Sequence, residues 1–355
     1  MLESNIMVLG ERGYGKTCAL ASMYRVLSTI GVEGYQLQVK DAFSEQGRSQ
    51  RRQLNGFSEG IAQAGELPDA STVGTAFHFY LTYGMSPLMS INWLDYPGNL
   101  ITGSDGNWDS EQYVQFQEAL LEADLVILCI PVMELMTVEL FNNTVLQAYY
   151  NLITEALSME EEEDNRFSIG FMVTKADEYG NKAEMTDRLM KLIEVSPFCK
   201  AKSDHWNVFG FYTTLGKHLR FISSEDGKET KRIDPATYDP EGFEMPVFLA
   251  AISSVSDKKR RVESQISRLE REISVNQKVI AEKKRTVMYN LFHYGRNVII
   301  SKQEAIDELN KQIRTFDGDY KKNKERFDRM MKILDDAGPL AYKNGARYAI
   351  RDIYD

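Results

Sequence analysis

The chain has 355 residues, of which 43% are apolar and 26% charged, with a formal net charge of −10. That length and balance suit a soluble protein of about two domains, and no apolar run of about 18 residues is present, so no membrane-crossing helix is expected. Cys18, Cys129 and Cys199 stand far apart, as do His78, His205, His218 and His293, which argues against a disulfide framework or a metal cluster. The first residues read as a strand rather than a cleavable leader, and a cytoplasmic location is the expectation. Charge is uneven: residues 1–252 carry 19 Lys and Arg against 36 Asp and Glu, whereas 253–355 carry 23 against 16. Such a split suggests two units with different partners, or a basic arm lying against an acidic domain.

The first strand, at Ile6-Met7-Val8-Leu9, runs into Gly10-Glu11-Arg12-Gly13-Tyr14-Gly15-Lys16-Thr17, and a helix follows from Cys18 to Leu27. Glycines at this spacing let the backbone curl so that successive N–H groups face phosphate oxygens, and the helix adds its positive end. This is a phosphate-binding loop, in which Lys16 reaches the β- and γ-phosphates and the Thr17 hydroxyl serves Mg²⁺.

Residues 31–69 contain helix-like stretches without a catalytic signature. Gly74–Tyr83 and Met89–Leu94 read as a strand hairpin, and the second strand ends at Asp95-Tyr96-Pro97-Gly98. A carboxylate at the carboxyl end of a strand is where an α/β sheet places ligand chemistry. A helix (108–123), a buried strand (125–130), a long helix (134–159), a solvated acidic run (160–164) and another strand (167–173) follow. That strand meets Thr174-Lys175-Ala176-Asp177. A helix (182–194), a strand (208–212), the turn Thr213-Thr214-Leu215 and a closing helix (246–255) complete an α/β series with a mostly parallel sheet.

The three motifs, Gly10 to Thr17, Asp95-x-x-Gly98 and Thr174-Lys175-x-Asp177, resemble in order and spacing the Ras-like P-loop GTPases of the translation-factor-related class. The resemblance covers about residues 1–255. It implies a GTP/GDP site formed by Gly10, Arg12, Gly13, Tyr14, Gly15, Lys16, Thr17 and Cys18 with Thr174, Lys175, Asp177, Thr213 and Thr214. Asp177 would take two hydrogen bonds from guanine, a donor pair that adenine lacks, and the Lys175 stem would lie along the base. Asp95 would hold Mg²⁺ through water with Thr17 and a switch threonine, for which Thr72 is the choice ahead of Ser71 and Thr75. The Gly98 N–H would sense the γ-phosphate. Asn99 stands where such enzymes often carry a water-orienting Gln. Arg12 either projects over the phosphates or points to solvent. Slow hydrolysis without a partner is therefore the expectation. Within the class, Gly-x-Arg-Gly-x-Gly-Lys-Thr, the Leu-Pro-x-x-x-Thr stretch at Leu67–Thr72 and Asp-x-Pro-Gly are most similar to bacterial double-GTPase proteins, which implies a role in defence or stress. Asp-x-Pro-Gly with Thr-Lys-x-Asp also resembles dynamin-type GTPases.

Beyond residue 255 the apolar period changes. Val262, Ile266, Leu269, Ile273, Asn276, Ile280 and Val287 form one heptad stripe; Ile306, Leu309, Ile313, Phe316, Tyr320, Asn323, Phe327, Met330 and Leu334 form another. An antiparallel coiled-coil hairpin over 256–336 is the simplest packing, each helix about 50 Å long, followed by a tail at 337–355. The connecting segment around Leu291, Phe292 and Tyr294 is aromatic and flanked by Lys283, Lys284, Arg285, Arg296 and Lys302. It either caps the hairpin or docks a protein partner or an anionic membrane, with nucleic acid ranking lower and a homodimer open. The leading function is a GTP-hydrolysing switch coupled to a partner through the arm. A dynamin-like membrane GTPase and a nucleotide-binding interaction protein with little hydrolysis are the alternatives.

Overall fold

The computed structural model describes residues 2–69, 74–96, 110–137, 144–158, 167–200, 206–217, 219–222, 232–283 and 289–354. In chain order, β1 (Leu2–Leu9) leads to α1 (Lys16–Arg25), β2 (Tyr35–Val39), α2 (Glu45–Glu59), β3 (Thr75–Tyr83) and β4 (Ser86–Asp95). Next come α3 (Ser110–Leu121), β5 (Leu125–Pro131), α4 (Val132–Thr137), α5 (Thr144–Ser158), β6 (Phe167–Thr174), α6 (Lys182–Val195), α7 (Pro197–Lys200) and β7 (Trp206–Tyr212). A small ribbon of β8 (Phe221–Ile222) and β9 (Arg232–Ile233) precedes α8 (Met245–Lys283), α9 (Tyr289–Ala337), β10 (Leu340–Lys343), β11 (Ala346–Arg347) and α10 (Ile350–Tyr354).

The main sheet has the order β11-β10-β7-β6-β5-β1-β4-β3-β2. Its centre, from β7 to β4, is parallel, and antiparallel strands flank it on both sides. Every residue of β5 and β6 is buried, as the continuous apolar run of β5 requires for a strand covered on both faces, and β6 buries Ser168 and Thr174 along with its apolar residues. Packing is close at Gly170 in β6, where a Cβ would come within 2.7 Å of Ile127 Cδ1. Phe116, Tyr149, Leu189 and Phe198 from the covering helices join the strands in one buried cluster. The parallel registers bring Asp95 opposite Val8 and Thr174 opposite Pro131, so the chemistry-bearing strand ends lie on one edge of the sheet.

Four features depart from the sequence reading. First, β2 lies within the stretch read as helix-like; Tyr35, Leu37 and Val39 alternate buried with more exposed Gln36 and Gln38, a period of two that marks a strand. Second, the helix expected to begin at 134 begins at Val132, as α4, and α5 lies in the same expected stretch, with 138–143 outside the described residues. Third, the closing helix does not end at 255: α8 continues to Lys283, since no Gly or Pro follows Pro246 to stop it. Fourth, residues 337–355 are no loose tail, because β10 pairs antiparallel with β7 and buries Leu340, Ala341 and Tyr342.

Two compact units result, Met1–Ser254 with Arg326–Asp355 and Val255–Glu325. In the first, Phe327, Met330 and Leu334 of the end of α9 are buried, the Tyr35 hydroxyl donates to the Arg326 carbonyl, and Arg326 and Arg329 lie over the Tyr83 ring. In the second, Ile273 and Ile306 are buried and Lys302 pairs with Glu272. Among the described residues no helix is long and apolar enough to cross a membrane.

Candidate functional site

The turn between β1 and α1 needs its glycines. Gly13 and Gly15 adopt φ +86° and +88°, left-handed values that side chains disfavour, and a Cβ on Gly10 would meet Cys129 Cβ at 3.0 Å. Helix α1 starts at Gly15 without a side-chain cap and without an acidic residue in its first turn. The N–H groups of such a helix start, together with its dipole, suit an anion.

Lys16 is buried and donates from Nζ to the carbonyl oxygens of Gly10 (2.7 Å) and Glu11 (3.1 Å). Burial pulls its pKa down, opposed by Cys129, Asp95 and Glu11. An arriving polyanion would offset the cost of that desolvated ammonium. Thr17 Oγ1 donates to Asp95 Oδ2 at 3.3 Å, both residues being buried. A hydroxyl and a carboxylate are hard oxygen donors of the kind Mg²⁺ takes alongside substrate phosphates, so the donor set fits that ion. Among the described residues no group of three or more His, Cys, Asp or Glu could hold a metal ion.

The third motif is knitted to the first and to the turn after β7. Thr174 Oγ1 donates to the Tyr14 carbonyl (2.8 Å), and Lys175 sits in the left-handed region at φ +55°. Asp177 Oδ1 accepts from Thr214 Oγ1 and from the Leu215 N–H, each at 3.2 Å. The Ala176 N–H donates to the Thr213 carbonyl (3.2 Å), while the Thr213 hydroxyl is spent on the Val173 carbonyl (3.2 Å). A cavity opens between these pieces, walled by Gly15, Cys18, Ala19, Lys175, Asp177 and Leu215. Its mixture of apolar walls and one oriented carboxylate suits a flat heterocycle bearing adjacent N–H donors.

The other expected site residues are distributed as follows. Arg12 is exposed. Tyr14 is buried, and its hydroxyl donates to Glu134 of α4, so this residue offers the site its backbone. Burial, followed by the neighbouring Glu134, raises the Tyr14 pKa. Cys18 borders the cavity, and burial pushes its thiol up to about 11. Thr72, Gly98 and Asn99 lie outside the described residues. Leu67, Leu219 and Phe243 also line the cavity; the sequence places Leu67 only in the Leu-Pro-x-x-x-Thr stretch and singles out neither Leu219, Phe243 nor Glu134 for a site role. No local motif marks Glu134, Leu219 or Phe243, because their role comes from distant segments folding onto α1.

No protein-family model matches the chain, and no curated protein does. Among solved structures, the chain is similar to the S. cerevisiae Ski7 GTPase-like domain bound to GTP, at 12% identity and TM-score 0.34, over 59% of this chain and 43% of that one. A protein described as nucleolar GTP-binding protein 1 from Plasmodium falciparum matches at 13% identity and TM-score 0.36, over 78% and 96% of the two chains. Era from Aquifex aeolicus, bound to GDP·AlF4−, matches at 12% identity and TM-score 0.32, over 59% and 52%. These scores are too low for the likeness to assign a family or an activity.

Proposed function

We propose that the chain binds GTP and hydrolyses it to GDP and phosphate, acting as a switch. The observation that carries this reading is the convergence of three loops on one sheet edge, with Lys16, Thr17 and Asp95 at one end and Asp177 at the other. Lys16 exchanges its loop carbonyls for β- and γ-phosphate oxygens, and the bare start of α1 cradles the phosphates. Asp177, already oriented by Thr214 and Leu215, takes the two guanine N–H donors. Water attacks the γ-phosphorus as the bond to the β–γ bridging oxygen breaks, and that oxygen leaves on GDP. Mg²⁺, held through Thr17 and Asp95, would neutralise phosphate charge.

The expected partner route is the arm, proposed as an antiparallel coiled coil of α8 and α9; the Glu272–Lys302 ion pair supports the two helices lying side by side. Its aromatic, basic tip supports docking to a protein partner or an anionic membrane. The resemblance to bacterial double-GTPase proteins supports a defence or stress setting in the cytoplasm. The direct test is hydrolysis of GTP and ATP by purified protein with Mg²⁺, followed as phosphate release. Turnover of GTP but not ATP is expected, and equal use of both would remove the guanine assignment.

A further inference from the structure

One wall of the base cavity comes from outside the three motifs. Leu67 follows the second helical segment of the chain, and Leu219 lies beyond the turn after β7; both line the cavity. Both also pack, half-buried, against the same small core of Ala21, Ile61 and Ile233, which sits on α1. The two segments are fastened to each other next to these leucines. The Ile233 N–H donates to the Gly65 carbonyl at 2.9 Å, and Glu66 and Arg232 face each other in an antiparallel bridge. Their side chains close the fastening with an ion pair of 2.6 Å. Gly65 has φ +66°, and a Cβ there would lie 1.9 Å from the Ile233 carbonyl oxygen, so only glycine permits this approach. The ribbon itself continues the contact, since Ile233 pairs with Phe221 and the Asp234 N–H donates to the Arg220 carbonyl at 2.7 Å.

We infer that this clasp between residues 65–66 and 232–233 holds Leu67 and Leu219 as an apolar wall over the base and ribose, and thereby sets how long a guanine nucleotide stays bound. The inference rests on the nucleotide reading above and goes beyond it in naming retention determinants. Two apolar side chains that a bound nucleoside covers add affinity that is lost when the wall swings away, and such losses fall mainly on the dissociation rate.

The test follows release of N-methylanthraniloyl-GDP from the intact protein in Mg²⁺ after a chase with excess GDP. Leu67→Ser with Leu219→Ser should speed release about tenfold. Glu66→Arg and Arg232→Glu should each speed it about two- to fivefold, and the exchanged pair should return it to the wild-type rate. If the serine pair impairs folding, seen as a lost cooperative melt, the exposed Glu66 and Arg232 exchange still decides the matter. Wild-type release rates in every variant, with the wild type binding the probe, would overturn the clasp alone. A wild-type protein that fails to bind the probe would overturn the nucleotide reading and the clasp together.

Discussion

Thr17 Oγ1 and Asp95 Oδ2 are 3.3 Å apart although 78 positions separate them in the chain. The contact exists because β1 and β4 are parallel neighbours in register at Val8 and Asp95, so the helix start after one strand meets the carboxylate ending the other. It follows that Thr17→Ala or Asp95→Ala should lower single-turnover GTP hydrolysis at saturating Mg²⁺ by at least about 100-fold, in the range seen when one preorganised stabilising group is removed. Lys16→Ala should lose as much and should also weaken triphosphate binding. Full turnover in any of the three would place the chemistry elsewhere.

Asp177 has two donors from the chain already on Oδ1, which fixes the plane of its carboxylate. Asp177→Asn keeps the shape and reverses half of the hydrogen-bonding pattern, so GTP preference over ATP should collapse and xanthine nucleotides should gain. A site built to satisfy specific donors discriminates by roughly 10⁴, and competition binding with GTP, ATP and XTP reads that ratio. An unchanged preference for GTP would show that another group reads the base.

Glu244 lies immediately before α8, and burial raises its pKa above the ordinary 4.5, with Glu241 adding to the shift and its own and Gly242's backbone N–H groups opposing it. A carboxyl with a raised folded pKa favours folding when protonated, and that contribution is lost as pH rises through the folded value. Glu244→Gln should therefore raise the melting temperature at pH 7.5, and the gain should shrink to nothing as pH falls below about 4.5. A gain independent of pH would mean that the ionisation of Glu244 is not its source.

Tyr83, at the end of β3, stacks edge-on with Tyr35 at 5.0 Å between centroids and receives the Arg326 and Arg329 guanidiniums at 5.4 and 6.0 Å. These contacts fasten the last turns of α9 to the edge of the sheet, and Arg329 also pairs with Glu33 at 3.4 Å. Tyr83→Ala should cost about 1–2 kcal/mol in chemical denaturation, from lost aromatic and cation–π contacts. Tyr83→Phe, which keeps the ring and loses only the hydroxyl that accepts from Arg329, should cost less than Tyr83→Ala.

Leu291 and Phe292 belong to the proposed docking tip. Replacing both by Ser should leave GTP binding unchanged and reduce attachment to a protein partner or to anionic vesicles, each side chain being worth roughly 1.5–3 kcal/mol when buried. Co-sedimentation with vesicles and pull-down with nucleotide-loaded protein separate the two targets. Retained attachment with a lowered melting temperature would instead identify the pair as a cap for the helices.

The sequence alone determined the loops and the strands that end in them. Gly13 and Gly15 declare a turn that only glycine tolerates, and the unbroken apolar run of β5 and the largely apolar run of β6 declare central strands, because both follow from local sterics and burial. The alternation in β2 is equally local, yet that stretch reads as helix-like, because five residues with two Gln among them give too short a period to stand out. What the tertiary structure decided is who meets whom. The pairing of β10 with β7, the Tyr14–Glu134 contact and the fastening of Gly65 to Ile233 join segments far apart in the chain. Each depends on sheet order and on the folding of distant pieces onto α1, neither of which leaves a period or a motif in the residues themselves.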